Sequence, residues 1–117
     1  MNTKINLTYN EVTYTLEYNR MTIKMIEREG FDLEKFSSQL MTMVDLAFKG
    51  AFYKNHRNVS QNTIDEIYNQ CDDKEKLISE ITNMITECYQ SLTEKPKEKG
   101  NVKWEVVSLS PNVETLQ

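Results

Sequence analysis

The sequence predicts an α+β domain, in which an N-terminal antiparallel β-hairpin is packed by about four α-helices and a flexible C-terminal arm follows. Hydrophobic and polar residues alternate from Lys4 to Tyr18, which is the period of half-buried strands. From Arg20 to Leu92 hydrophobic residues instead recur at spacings of three and four, as in amphipathic helices. A chain of 117 residues fits one core. We therefore expect a single domain over residues 1–93 and a flexible tail over residues 94–117.

The predicted hairpin joins two strands of opposite direction at Asn10-Glu11. Asparagine tolerates a positive φ, so Asn10 suits a tight turn. An isolated hairpin is marginally stable in water, and helices must therefore cover one of its faces. The alternating apolar positions are Ile5, Leu7 and Tyr9 in the first segment, and Val12, Tyr14, Leu16 and Tyr18 in the second.

The first helix is expected from about Arg20 to Glu29, because Gly30 supplies a left-handed stop. Three of its apolar side chains are expected to face the sheet: Met21, Met25 and Ile26. Residues 32–39 carry a weaker pattern, which fits either a loop or a short turn capped by Asp32. We favour the turn.

The second and third helices flank a polar joint over residues 54–59. Ser60 is placed to cap the third helix, with Val59 and Ile64 as a hydrophobic staple. The expected buried stripe of the second helix is Leu40, Val44, Ala47, Phe48 and Ala51. The stripe of the third helix is Ile64, Ile67, Tyr68 and Cys71.

The last helix has the clearest pattern, and Asp72 with Glu75 forms a capping-box signal at its start. Its apolar positions are Leu77, Ile78, Ile81, Met84, Ile85, Cys88, Tyr89 and Leu92. Pro96 and Gly100 are incompatible with its continuation. In the tail, apolar Val102, Trp104 and Val106 alternate with Lys103, Glu105 and Val107, which is compatible with a short strand over residues 102–107. Residues 108–117 are expected to be disordered.

Composition argues against nucleic-acid and membrane binding. The net charge is −4 and the pI is about 5.0, whereas phosphate binding needs a concentrated basic face. The basic residues of the segment 95–99 are interrupted by an acid and a proline, so this segment is expected to be a solvated linker. The first ten residues contain no apolar signal-like region, and no apolar run approaches the roughly 20 residues that cross a bilayer. These observations predict a cytosolic protein.

The inventory of chemically active residues is thin. His56 is the single histidine and lies in the polar joint, where an exposed or capping role is expected rather than that of a base or ligand. Cys71 and Cys88 occupy apolar positions on different helices and are expected to be free, buried thiols. The three glycines are scattered, so no phosphate-binding loop is formed. We therefore expect no catalytic, metal or cofactor site, and a protein that is not an enzyme.

Binding of a protein partner is the remaining interpretation. The apolar face between Leu40 and Tyr53 is wider than one neighbouring helix usually covers, so its residues either pack beneath the hairpin or form a binding surface. The single tryptophan is either an anchor that folds back onto its own domain or one that inserts into a neighbour. The candidate partner-binding residues are Met41, Met43, Phe48, Phe52, Tyr53 and Trp104.

Four stretches together resemble the tail assembly chaperones of long-tailed phages and prophages of Gram-positive bacteria. They are INLTYNEVTYTLEYNRMTIKMIEREGF (Ile5 to Phe31), MTMVDLAFKGAF (Met41 to Phe52), VSQNTIDEIYNQ (Val59 to Gln70) and GNVKWEVV (Gly100 to Val107). The resemblance extends from Ile5 to about Val107. In the first turn, Asn10-Glu11 stands where the family pattern leads us to expect a glycine.

The resemblance implies a function without chemistry in the cytoplasm of the bacterial host. Such a chaperone binds the tape measure protein, a long and largely helical chain, and keeps it soluble until the tail tube polymerises. The resemblance also implies a homo-oligomer, and an extended form that contacts the tail tube protein. The competing hypothesis is a structural head-tail or tail completion protein that is retained in the virion.

Overall fold

The computed structural model describes residues 3–96, 100 and 102–108, and within them it confirms the predicted α+β architecture. The sheet has two antiparallel strands. The elements are β1 (Ile5–Tyr9), β2 (Val12–Leu16), α1 (Arg20–Arg28), α2 (Leu40–Gly50), α3 (Gln61–Gln70) and α4 (Lys74–Gln90). Single 3₁₀ turns occupy Leu33–Lys35 and Ser91–Thr93. The first of these begins at Asp32, whose side chain accepts the backbone N–H of Glu34, so the predicted turn is confirmed.

The hairpin turns at the two residues that the sequence indicates. Tyr9 pairs with Val12 and Leu7 with Tyr14, so Asn10 and Glu11 are the two central turn residues. Both have positive φ, 51° for Asn10 and 67° for Glu11. This turn conformation matches the right-handed twist of the strands, and asparagine adopts it readily, whereas glutamate does so against a steric penalty. The turn therefore favours the twist of the sheet, but it holds Glu11 in a strained backbone conformation.

Helix α1 is closed at both ends by local hydrogen bonds. Asn19 Oδ1 accepts the Thr22 N–H at 2.8 Å, and Thr22 Oγ1 accepts the Asn19 N–H at 2.9 Å. This reciprocal capping box satisfies two backbone donors. At the other end Gly30 has φ +111°, as predicted for a left-handed stop, and the N–H of Phe31 donates to the carbonyl of Ile26.

The orientation of α1 corrects one prediction. Met21 is 56% exposed rather than turned inward, whereas Ile23 and Ile26 are buried. Helix α1 packs against α2 and α4. At the crossing with α2, a Cβ built on Gly50 would lie 2.5 Å from Ile26 Cγ2. This close approach fixes the face of α1 that is buried.

The same crossing sets the register of α2. Ala47, Phe48 and Ala51 of the predicted stripe are buried as expected, but Leu40 and Val44 are not. Leu40 is 53% exposed and Val44 is half-buried, while the buried positions of the helix are Met43, Leu46, Ala47, Phe48 and Gly50. Small residues let the hairpin approach closely here. The Glu17 N–H donates to the Ala51 carbonyl at 3.1 Å, and the Tyr18 hydroxyl donates to the Ala47 carbonyl.

Helices α3 and α4 complete the core. Ser60 caps α3 as predicted, with Oγ accepting the Thr63 N–H at 3.2 Å. The cap of α4 is Asp73, one residue later than predicted, because Asp73 adopts a left-handed φ of 46° and accepts the Lys76 N–H. Ile81, Met84 and Ile85 are buried, whereas Leu92 follows the end of the helix and is 65% exposed.

The joint between α2 and α3 attaches the hairpin to the helices. His56 is half-buried, and its Nε2 accepts the Thr15 N–H at 2.9 Å. Asn55 donates to the Thr15 carbonyl at 3.1 Å, and Lys54 forms an ion pair of 2.9 Å with Glu17. His56, which was expected to be exposed or to cap a helix, therefore accepts a hydrogen bond from strand β2. The outer edge of β2 is occupied by this joint.

Cys71 and Cys88 are free, as predicted, but they are half-buried rather than buried, and this partial burial raises the pKa of both thiols. The strand considered for residues 102–107 is not formed, since residues 102–108 have no regular secondary structure. The other tail residues of the flexibility prediction, 97–99, 101 and 109–117, lie outside the described residues. Within the described ranges, no helix is long and apolar enough to cross a membrane.

Candidate binding groove

An apolar groove runs between α2 and α3, with α4 at its far side. It encloses about 500 Å³. Its lining comprises Leu40, Met41, Val44, Asp45 and Phe48 from α2, Asp65, Tyr68 and Asn69 from α3, and Ile78 from α4. We call this surface the α2–α3 groove. It exists because α2 uses one face for the crossing with α1, which leaves its N-terminal apolar residues beside α3.

The floor of the α2–α3 groove is aromatic and tightly packed. Phe48 is 2% exposed and meets the Tyr68 ring edge to face, with ring centroids 5.2 Å apart. Tyr68 is half-buried, and burial raises the pKa of its hydroxyl. The Lys74 ammonium lies 5.8 Å from the centroid of the Tyr68 ring, which adds a cation–π contact. The floor is therefore preformed.

The rim combines exposed apolar groups with negative charge. Met41 is 88% exposed and Leu40 is 53% exposed. The charged residues that line the groove in the described chain are Asp45 and Asp65, both exposed, and Gln61 donates to Asp65 at 2.8 Å. An occupant with an apolar face flanked by basic side chains would match both features.

The structure places the six predicted partner-binding residues at different depths and in different parts of the fold. Met41 lies on the rim of the α2–α3 groove and Phe48 in its floor. Met43 is 1% exposed, and its sulfur accepts the Asp32 N–H at 3.3 Å. Phe52 is fully buried and stacks edge-on with Tyr14. Met43 and Phe52 are therefore core residues and, unlike Met41, present no exposed surface to a partner.

The remaining two candidates lie apart from the groove lining. Tyr53 is half-buried, and its hydroxyl donates to Glu29 at 2.9 Å. Burial and this carboxylate raise the pKa of Tyr53. Trp104 is 82% exposed on the arm. Of the six candidates, the structure brings Met41 and Phe48 together in one groove.

Sequence reasoning missed seven lining residues: Leu40, Val44, Asp45, Asp65, Tyr68, Asn69 and Ile78. The four apolar or aromatic ones fit the predicted buried stripes, and the three polar residues carry no distinguishing signal. One sequence feature did point to the site. Leu40 and Met41 are consecutive apolar residues at a helix start, and they cannot share the narrow stripe that one neighbour covers.

Beyond the groove, the described part of the chain has a second, polar cavity but no cluster of metal ligands. Among the described residues, no group of three or more His, Cys, Asp or Glu side chains is placed to hold a metal ion. A second cavity of about 230 Å³ is lined mainly by polar residues, including Arg20, Lys54 and Glu87. In this cavity the Arg20 guanidinium donates a hydrogen bond to the Ser91 carbonyl at 2.7 Å.

A known protein family matches most of the chain. The family described as a domain of unknown function (DUF5055) matches residues 1–108. The chain belongs to this family. The match covers both strands, all four described α-helices and the arm up to Ser108. Neither a curated protein nor a solved structure matches the chain.

Proposed function

We propose that this DUF5055 protein is a tail assembly chaperone of a long-tailed phage or prophage, which binds the tape measure protein and keeps it soluble until the tail tube polymerises. The resemblance of four sequence stretches to that chaperone family supports the identity of the partner. One structural observation carries the binding mode. Met41, at 88% exposure, stands on the rim of a preformed apolar groove of about 500 Å³.

The α2–α3 groove suits an amphipathic helix. Helix-binding grooves take apolar residues at positions i, i+3, i+4 and i+7 of their ligand. The methionine at the rim is flexible and polarisable, so it adapts to successive segments of a long helical partner. Asp45 and Asp65 favour segments whose apolar stripe is flanked by lysine or arginine. Weak binding through an adaptable rim also permits release of the tape measure protein when tube subunits compete for it.

The protein acts in the cytoplasm of the bacterial host, and several copies coat one tape measure chain. A longer form of the protein contacts the tail tube protein. No catalytic step or cofactor is required, because the free energy of apolar burial is sufficient for holding the partner.

Co-expression with the tape measure protein tests the groove directly. We expect Met41→Asp to leave the tape measure protein insoluble, because a charge buried against an apolar ligand costs several kcal/mol. The same charge faces water in the free protein, so the fold should persist. Met21→Asp is the matched control, since Met21 is 56% exposed on α1 and lies outside the groove lining.

Three measurements make this test decisive: the soluble fraction of the tape measure protein, pull-down, and the far-ultraviolet circular dichroism of each variant. Equal solubilisation by Met41→Asp and Met21→Asp would exclude the α2–α3 groove as the binding site. Failure of the wild type to bind the tape measure protein, combined with its presence in purified mature particles, would favour the structural virion protein instead.

A further inference from the structure

The outer edge of β1 is an unpaired strand edge. The Thr15 N–H donates to His56, so it points away from β1. In an antiparallel pair such outward residues oppose each other at every second position. Asn6 opposes Thr15 and Thr8 opposes Thr13, so Asn6 and Thr8 direct their backbone N–H and C=O groups out of β1. Among the described residues these groups have no backbone partner.

A second groove, whose lining includes apolar residues as well as polar Thr8, Gln70 and Asp72, lies along this edge. It encloses about 280 Å³, and β1 contributes Ile5, Leu7 and Tyr9 to its lining. Ile67 and Cys71 of the α3 end and Leu77 of α4 line the opposite side. We call it the β1 groove. A strand added to β1 would direct every second side chain into this space.

The arm of the same chain has the matching pattern. Val102, Trp104 and Val106 alternate with Lys103 and Glu105, and the three apolar side chains are 83%, 82% and 79% exposed. A run of this kind, exposed in water without a covering element, marks an interaction segment. The arm has the period of a strand, but residues 102–108 form no regular secondary structure in the single chain.

We propose that residues 102–107 of one copy add as a third strand to β1 of a second copy. Val102, Trp104 and Val106 then enter the β1 groove, which offers three inward positions of the same period at Ile5, Leu7 and Tyr9. The alternate residues, Lys103 and Glu105, join the polar outer face of the sheet. That face is formed by the side-chain pairs Thr15–Asn6 and Thr8–Thr13.

Reciprocal exchange explains why the occupant is a second copy. Each chain carries one exposed arm and one open β1 edge, and a two-fold pair covers both at once with identical contacts. Backbone hydrogen bonds supply affinity, and the apolar pockets fix the register. The β1 groove and the α2–α3 groove share no lining residue. The exchange is therefore independent of the proposed binding of the tape measure protein.

Two proline variants test the edge. Thr8→Pro removes an outward N–H from β1, whereas Thr13→Pro removes an outward N–H from β2, and both lose the same Thr8–Thr13 side-chain contact. Light scattering after size exclusion should give twice the chain mass for the wild type and for Thr13→Pro, but a single chain mass for Thr8→Pro. Circular dichroism confirms that each variant is folded. Association of Thr8→Pro equal to that of Thr13→Pro overturns the proposal.

Cross-linking identifies the occupant. Cys71 lines the β1 groove, so in a Cys88→Ser background it is the native thiol that an arm cysteine would meet. Under mild oxidation we expect a disulfide-linked dimer from Val102→Cys or Val106→Cys on a denaturing gel. Val107→Cys, on the opposite face of the added strand, should give little dimer, and Cys71→Ser should abolish it.

Other outcomes contradict the exchange. A disulfide within one chain, seen as a monomer of altered mobility, would show that the arm covers its own β1 groove. A wild type that stays monomeric, with the fluorescence of Trp104 at the emission maximum of a solvent-exposed indole, would show that the arm does not dock. Cross-linking from Val107→Cys equal to that of the more reactive of Val102→Cys and Val106→Cys would exclude a strand register.

Discussion

At the scale of single residues, Glu17 is a buried carboxylate whose charge is paired. It is 6% exposed, and its carboxylate accepts from Lys54 at 2.9 Å and from Asn55 at 2.8 Å. A buried charge is unfavourable unless it is paired and hydrogen-bonded. The hydrogen bond from Lys54, with that from Asn55, holds the pKa of Glu17 below its ordinary value. Glu17 thereby couples the end of β2 to the α2–α3 joint.

Acid should therefore weaken the fold through Glu17. Because the pKa of Glu17 is lower in the folded state, its stabilising effect is complete above the unfolded value of 4.5 and is lost as the pH falls through the folded value. We expect the free energy of unfolding to decline between about pH 5 and pH 3. In Glu17→Gln the decline should be shallower, and stability at pH 7 should fall by about 1–3 kcal/mol.

Urea denaturation at a series of pH values measures this effect. Glu66→Gln serves as the control, since Glu66 is an exposed acid on α3 and its substitution should leave the pH profile close to that of the wild type. Identical slopes for the wild type and Glu17→Gln would show that Glu17 does not control the acid response.

At the scale of elements, the α1–α2 crossing decides which apolar residues are buried. Gly50 lets the two helices approach until its hydrogen faces the branched side chain of Ile26, which is fully buried. The same approach turns Ala47 and Ala51 towards the hairpin, and it leaves Leu40 and Met41 beside α3. The α2–α3 groove is thus a geometric consequence of a glycine that lies about three turns away along α2.

Gly50→Ala should destabilise the domain although alanine is the better helix former. Alanine gains up to about 1 kcal/mol in a helix, but its Cβ would lie 2.5 Å from Ile26 Cγ2, and such overpacking costs about 1–3 kcal/mol. A double-mutant cycle with Ile26→Ala checks the cause, because removing Cγ2 should make Gly50→Ala nearly neutral or stabilising. An unchanged penalty in the Ile26→Ala background would mean that the two side chains do not clash.

The elements themselves were largely predictable, because local signals fix them. Asn10 marks the turn, Gly30 ends α1, and Ser60 begins α3, each through a backbone requirement that one or two residues meet. The register of α2 was not predictable in this way. Its Leu40–Val44 stripe and its Met43–Leu46 stripe both fit a period of 3.6, and both include Ala47. Tertiary packing at Gly50 selects between them.

The candidate site was predictable only in part for the same reason. Once the register is known, Met41 is outward and Met43 inward, but the sequence alone treats the two methionines alike. His56 illustrates a second limit. It reads as a polar residue of the joint, yet its role is to accept a hydrogen bond from Thr15, a residue 41 positions earlier in the chain. Such long-range polar contacts leave no periodic pattern.

At the scale of the whole molecule, the chain combines a compact helical core with two separate apolar surfaces and an arm. The α2–α3 groove is open to a helical ligand, and the β1 groove is open to a strand. Binding in the α2–α3 groove depends on side-chain contacts, whereas binding along the β1 groove also requires backbone hydrogen bonds. A protein organised in this way can associate with itself while a different face holds a partner.

The folded domain should be stable without residues 94–117. Deleting residues 94–117 should change the free energy of unfolding of the monomer by less than about 0.5 kcal/mol, because the described arm residues 102–108 are exposed and exposed positions contribute little. A longer deletion from Glu87 should be strongly destabilising. It removes Cys88, which packs on the core, and Tyr89, whose hydroxyl donates to Glu27 at 2.6 Å. Urea denaturation at concentrations where the wild type is monomeric compares the two. A large loss of stability from the first deletion would place part of the tail in the core and would extend the domain beyond residue 93.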